Sequence, residues 1–279
     1  MKHKVLHTLA AACLAAVAAP SFANSTASAT FGNLVITLTD LDPNDGIAPT
    51  LTYGARGPSS IDNFMYTMSD EGGISKQAGK VSSLPTEQLS LETRTKLGWG
   101  VSSVTVADTV AGFSAMSAHG VADSIIGEYG TYRSVVAGPQ SLSDFTVSAN
   151  TKVTFSLTSE LKTRTTMGFN LDALEGESAL AKSSLSLFGQ VGNDFQFDGS
   201  EHTAYSSYLV NDDNTVTGMS DDWSGVLSVS FINTSAASAS AQLQASLYLE
   251  GKSASWDGVT PVPEPSQWLA LSSGLLLLG

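Results

Sequence analysis

A base is the scarce part of any nucleophilic mechanism, and beyond the first 23 residues this chain has only two imidazoles, His119 and His202. His119 stands in Ser117-Ala118-His119-Gly120 and His202 follows Ser200-Glu201. There is no Gly-x-Ser-x-Gly to seat a serine nucleophile. Serine and threonine occur everywhere, so their presence selects nothing. The acids lie mostly in Asp/Asn/Gly clusters, and none forms a recognisable glycosidase pair facing one cleft. The expectation is a chain that is not an enzyme.

Metal chemistry has one place to start. Asp40, Asp42 and Asn44 offer oxygens at alternate positions, as calcium loops do. Gly46 comes one place late for such a loop, and Leu51 stands where its closing Glu would be. Asp and Asn are also ordinary turn residues. The favoured reading is therefore a turn with no cofactor, and calcium is the alternative. Asn211 to Asn214 is a weaker version of the same pattern, and no Cys/His zinc spacing exists. Trp99, Trp223 and Trp256 sit beside Gly, Asp or Ser and could stack on sugar, although a core position is the default for each.

The elements that would position these residues alternate with period two. Leu34, Ile36 and Leu38 interleave with Val35, Thr37 and Thr39. Val153, Phe155 and Leu157, then Leu227, Val229 and Phe231, then Leu243, Ala245, Leu247 and Leu249 do the same among Ser, Thr and Gln. Successive side chains of a strand point to opposite faces, so these runs describe sheets with one apolar and one wet face. Turn-formers punctuate them at Asp42 to Gly46, Asn150, Gly192 to Asp194, Asp212 to Asn214 and Asp221-Asp222. Asn150 divides a hairpin-like pair, 142–148 and 151–158. Leu89, Leu91 and Thr93 alternate as well, which favours a strand over a short helix in 86–97. The expected fold is all-β, an antiparallel β-sandwich or jelly-roll-like domain of about ten to twelve strands. With few lysines to guard sheet edges, acidic turns are expected to do so instead.

The two ends carry a different kind of signal. Lys2 and Lys4 precede an apolar run to Ala19, and Ser21-Phe22-Ala23 supplies small residues where a signal peptidase reads, so the cut is placed after Ala23. A lipoprotein signal at Cys13 is the competing reading, but Ala10-Ala11-Ala12 lacks the usual Leu. Cys13 is the only cysteine, so the exported chain must be held by its core rather than by disulfides. The formal charge of −13 becomes −15 once Lys2 and Lys4 are removed, which argues against nucleic acid and anionic lipid as partners.

At the other end, Pro261, Pro263 and Pro265 make an extended, unpaired linker. Behind it, Trp268 to Gly279 is free of charge. As a helix that run would be about 18 Å long, against about 30 Å of hydrocarbon. The expected organisation is a signal peptide with its helix over 1–23, a β-domain over 24–252, a Pro-rich linker over 253–266 and the front part of an apolar helical anchor over 267–279.

Val262-Pro263-Glu264-Pro265-Ser266 ahead of an apolar run resembles the PEP-CTERM sorting signal of Gram-negative bacteria. Leu34 to Thr52 and Phe145 to Ser156 also look like segments of such proteins. The resemblance implies that Pro263, Glu264 and Pro265 are read by an exosortase, a membrane-bound processing enzyme. It implies transient anchoring in the inner membrane, then a cell-surface or extracellular place in a polysaccharide-rich setting. The sequence departs from the family in lacking a basic cluster after the apolar run, so a continuation past Gly279 is expected. The resemblance carries no activity by itself. The role it implies is structural or one of interaction, and the alternative is a secreted binding module for carbohydrate, calcium or ice.

Overall fold

A computed structural model describes residues 23–54, 59–69, 72–82, 88–94, 98–105, 115–124, 129–166, 169–170 and 175–254. The signal segment before Ala23, residues 255–266 of the Pro-rich linker and the apolar tail lie outside the described residues, and Ser253 and Ala254, expected in the linker, are the last residues of β17. Among the described residues the chain is all-β, in antiparallel sheets. The strands are β1 (Ala23–Asp40), β2 (Leu51–Tyr53), β3 (Ser59–Ser69), β4 (Gly72–Ser82), β5 (Gln88–Arg94) and β6 (Gly98–Thr105). They continue with β7 (Ala115–Ser124), β8 (Tyr129–Val147), β9 (Thr151–Thr165), β10 (Phe169–Asn170), β11 (Glu175–Gly176) and β12 (Ser178–Val191). The last are β13 (Asp194–Ser206), β14 (Tyr208–Val210), β15 (Val216–Gly218), β16 (Ser220–Asn233) and β17 (Ala239–Ala254). The segment around Leu89 to Thr93 is a strand, and the strands outnumber the ten to twelve expected.

One sheet runs β16-β9-β1-β7-β6-β5, and the other runs β13-β12-β17-β8-β3-β4 with β2 beside β8. Their inner faces share one hydrophobic core. Phe145 of the second sheet meets Phe155 and Phe231 of the first, at ring-centroid distances of 5.0 and 6.1 Å. The apolar rows read from the sequence are those that point inward: Val153, Phe155 and Leu157 on β9, Leu243, Leu247 and Leu249 on β17.

A bulge explains why β1 serves the core along its whole length. Its register against β9 shifts between Phe31 and Leu34. Before the shift the odd residues Ala27, Ala29 and Phe31 are buried; after it Leu34, Ile36 and Leu38 pack against the same core. One extra residue inverts the alternation, which is what a bulge does.

Two sequence expectations change here. Segments 142–148 and 151–158 do not form a hairpin, because β8 and β9 belong to different sheets. Asn150, at φ 48°, turns the chain from one layer to the other. Its amide donates to Ser235 O at 3.2 Å and its side chain donates to Asp45 Oδ2 at 2.8 Å, bonds that no hairpin would supply. Asp221-Asp222 is likewise no turn; both lie inside β16.

The seam between β13 and β16, edge strands of opposite sheets, is closed by side chains. Gln196 Nε2 donates to Ile232 O at 2.8 Å while its Oε1 accepts from Ile232 N at 3.2 Å. Asp198 Oδ2 accepts from Ser230 N at 2.7 Å, and Asp221 Oδ2 accepts from Tyr205 N at 3.0 Å. These side chains stand in for the missing neighbour strand. The edge is guarded from within strands, where acidic turns were expected to guard it.

Candidate functional site

The residues of the calcium candidate close the end of β1 and the turn after it with hydrogen bonds of their own. Asp40 Oδ1 accepts from Asp42 N at 3.0 Å, and Asp42 Oδ1 accepts from Asn44 N at 3.2 Å. Asp45, just beyond, accepts from Ile47 N at 2.7 Å and from Asn150. The carboxylates of Asp40, Asp42 and Asp45 are thus turned onto the backbone of their own loop and the β8–β9 corner, as Asx turns do. The Asn150 amide holds the Asp45 carboxyl below the usual carboxylate range. Among the described residues no group of three or more His, Cys, Asp or Glu converges as a metal set.

The two histidines are not brought together. His202 lies on the inward row of β13 and stacks on Trp223 of β16, with ring centroids 4.0 Å apart and planes 13° apart. Gly225 makes this possible, since a Cβ there would run into the Trp223 ring. Trp223 therefore packs against the core and is no exposed sugar platform. Trp256, Pro263, Glu264 and Pro265 lie outside the described residues; Trp99 is on β6, paired with Val121 and Arg94.

His119 faces the other way, onto the outer surface of the first sheet. The strand registers line up a row there. His119 pairs with Ser28, Ser28 pairs with Lys162, and Lys162 pairs with Asp222, across β7, β1, β9 and β16. In the adjoining row Thr26 pairs with Arg164, which pairs with Ser220. Alternation sends these polar groups outward because Ala27, Ala29 and Leu161 occupy the inward positions. Strands lie about 4.8 Å apart, so His119 and Lys162, two strands apart, stand roughly 10 Å apart at the backbone.

A wall turns this floor into a groove. β14 and β15 pair as a hairpin, and the chain after it crosses the end of β9. Thr165 N donates to Met219 O at 2.8 Å and Met219 N donates to Thr165 Oγ1 at 2.9 Å. Gly218 sits so close to the Thr165 backbone that any Cβ would collide with it. The resulting open groove encloses about 730 Å³ between Thr217–Met219 and the floor. Thr163 and Thr165, inward on β9, are polar for the same reason: they tie β9 to Ser206, Ser207 and Met219.

The charges within the groove are distinct. Lys162 Nζ lies 2.5 Å from Glu160 Oε1, and that carboxylate, with Asp222 nearby, holds the ammonium above its ordinary range. Arg164 makes no ion pair among the described residues. Burial lowers the pKa of His119, so the neutral imidazole is favoured at its place between the strands. A histidine whose folded pKa is depressed binds fewer protons than the unfolded chain, so its contribution is complete above about pH 6.5 and is lost as the pH falls through the folded value. Replacing His119 with Gln should flatten that part of the acid limb of a thermal-stability profile; an unchanged limb would show that His119 does not contribute.

Sequence reasoning singled out His119 but missed Thr26, Ser28, Lys162, Arg164 and Asp222. One signal was present: Glu160, Lys162 and Arg164 occupy successive outward positions of β9. Comparison with protein-family profiles, curated proteins and solved structures found no match to this chain.

Proposed function

We propose that this chain is an exported cell-surface or extracellular-matrix protein, delivered by a C-terminal sorting signal, with a structural or interaction role and no catalysis of its own. The observation that carries the reading is Val262 to Ser266 placed ahead of the charge-free run Trp268 to Gly279, on a chain that opens with an export signal. Export comes first, with cleavage after Ala23. The apolar tail then halts in the membrane and presents the stiff Pro-Glu-Pro linker to an exosortase-type enzyme. The β-domain, read as an antiparallel β-sandwich or jelly-roll-like domain, is released to the surface.

Two features support this order. β17 ends at Ala254, ahead of the alternating prolines, which lock φ and remove donors and so favour an extended, unpaired linker that a protease can read. Asn24, which cleavage after Ala23 would make the new terminus, is held in the sheet: its main-chain nitrogen donates to Thr166 Oγ1 at 2.8 Å and its side chain to Asp123. Replacing Pro263, Glu264 and Pro265 together with Ala, in the gene at its own locus, should abolish C-terminal processing. The variant would accumulate as the longer, membrane-associated form. Processing equal to that of the parent would sink the sorting reading.

The second reading is a secreted binding module. The groove over His119, Lys162 and Arg164 favours it, because the concavity is built from side chains that can recognise a polar ligand.

A further inference from the structure

We infer that the groove on the outer face of the first sheet binds a carboxylate-bearing oligosaccharide, with Arg164 as the carboxylate contact. This deepens the binding-module reading and is independent of the sorting motif. Four observations lead to it.

The first is size and shape. About 730 Å³ lies within the ordinary range of about 300–1,000 Å³ for ligand sites. The groove is open to solvent, so a chain-like ligand can enter it.

The second is the chemistry of the lining. Thr26, Ser28, Thr217 and Ser220 all face it, with Met219 as the one large apolar side chain. An apolar ligand would strip water from these hydroxyls and return no hydrogen bond, at a cost of about 1–3 kcal/mol per group. A polyol does return them, because a hydroxyl can donate and accept at once.

The third is charge. In a chain with twice as many acids as bases, this groove gathers Lys162 and Arg164 beside Asp222, the one lining acid among the described residues. Lys162 is already engaged by Glu160, whereas Arg164 makes no ion pair among the described residues. The guanidinium fork matches a carboxylate with two parallel hydrogen bonds, which an ammonium cannot do.

The fourth is rigidity. Arg164 and Lys162 stand on β9, which is hydrogen-bonded on both sides by β1 and β16, and the wall is pinned through Thr165. The lining is thus preorganised, so little ordering is needed on binding. The distance between rows along a strand is about 7 Å, and it lets a carboxylate sit on Arg164 while ring hydroxyls reach Thr26 and Ser28.

The test is calorimetric titration of the processed full-length protein with a uronic-acid tetrasaccharide, a glucose tetrasaccharide of equal length, and sodium acetate. The uronate should bind, the neutral sugar at least about tenfold more weakly, and acetate more weakly still, since a charge-assisted contact of about 1.4 kcal/mol is a factor of ten. Arg164→Ala should weaken uronate binding by about tenfold or more, and Arg164→Lys should recover only part of it. Ser28→Ala, on the same floor and carrying no charge, should give a smaller loss that is the same for both tetrasaccharides. Equal binding of the neutral sugar would overturn the carboxylate assignment while leaving a carbohydrate module. Acetate binding as tightly as the tetrasaccharide would reduce the groove to a simple anion site and overturn the sugar. Absence of uronate binding, or Arg164→Ala without effect, would overturn the proposal outright.

Discussion

Gly120→Ala should destabilise the domain by about 3 kcal/mol. The reason is Tyr132, the bulkiest of the fully buried side chains among the described residues. Tyr132 on β8 lies over Gly251, its direct cross-strand partner on β17, and reaches across the core to Gly120 on β7 of the facing sheet. A Cβ built on Gly120 would fall within the ring, against Cδ2 and Cε2; one built on Gly251 would fall against Cε1 and Cζ. The ring is held between two glycines on opposite layers and has no direction in which to yield. Overpacking a close-packed core costs about 1–3 kcal/mol and occasionally more, and a clash with a wedged ring belongs at the upper end. Against a total stability of about 5–15 kcal/mol that is a severe loss. Urea denaturation should show a midpoint far below the parent's, and Tyr132→Leu placed in the same chain should return part of the stability, since the two sites share one volume. A Gly120→Ala protein with an unshifted midpoint would show that the sheets do not meet through this ring.

Phe231→Ala should cost about 3–5 kcal/mol, the usual toll for truncating a buried aromatic. Phe231 is fully buried on β16, and its ring lies over Gly189 of β12, where a Cβ would run into it. It also meets Phe145 edge-on. One side chain of the first sheet therefore touches two strands of the second, β12 and β8. Truncation removes those contacts together and leaves a cavity that the surrounding strands, hydrogen-bonded on both sides, cannot collapse to fill. Phe231→Leu should recover most of the loss because it restores most of the volume. The measurement is again denaturant unfolding with an unchanged slope. A loss below about 1 kcal/mol would mean that this corner of the core is loosely packed.

Much of the fold was legible because a half-buried strand writes itself as alternation. Leu227, Val229 and Phe231 could be assigned to one face without any knowledge of the partner sheet. The tight turns at Gly192 and Asn214 were equally plain, since both adopt positive φ. The β8–β9 junction was not legible. A turn at Asn150 can join two strands of one sheet or carry the chain to the other layer, and local sequence does not distinguish them. The choice is made by partners more than a hundred residues away for Asp45 and nearly as far for Ser235. The bulge in β1 was hidden for a similar reason, because it shows only as a register shift against β9.

The site divides in the same way. His119, the histidine the sequence singled out that lies in the groove, was visible as a scarce residue type. That it stands in one row with Ser28, Lys162 and Asp222 depends on four strands drawn from distant parts of the chain. Asp40, Asp42 and Asn44 carried a metal-like spacing, yet the structure turns the oxygens of Asp40 and Asp42 onto neighbouring amides.

By itself, the sequence determined the all-β class, the inward rows, the acidic charge and the chemistry of its two ends, because each is a property of residue type and spacing along the chain. Only the tertiary structure decided which strands are neighbours, that Tyr132 needs a glycine on either side, and that scattered hydroxyls and two cations line one groove. These depend on register between strands, and register is set by the summed packing and hydrogen bonding of the entire sheet rather than by any one segment.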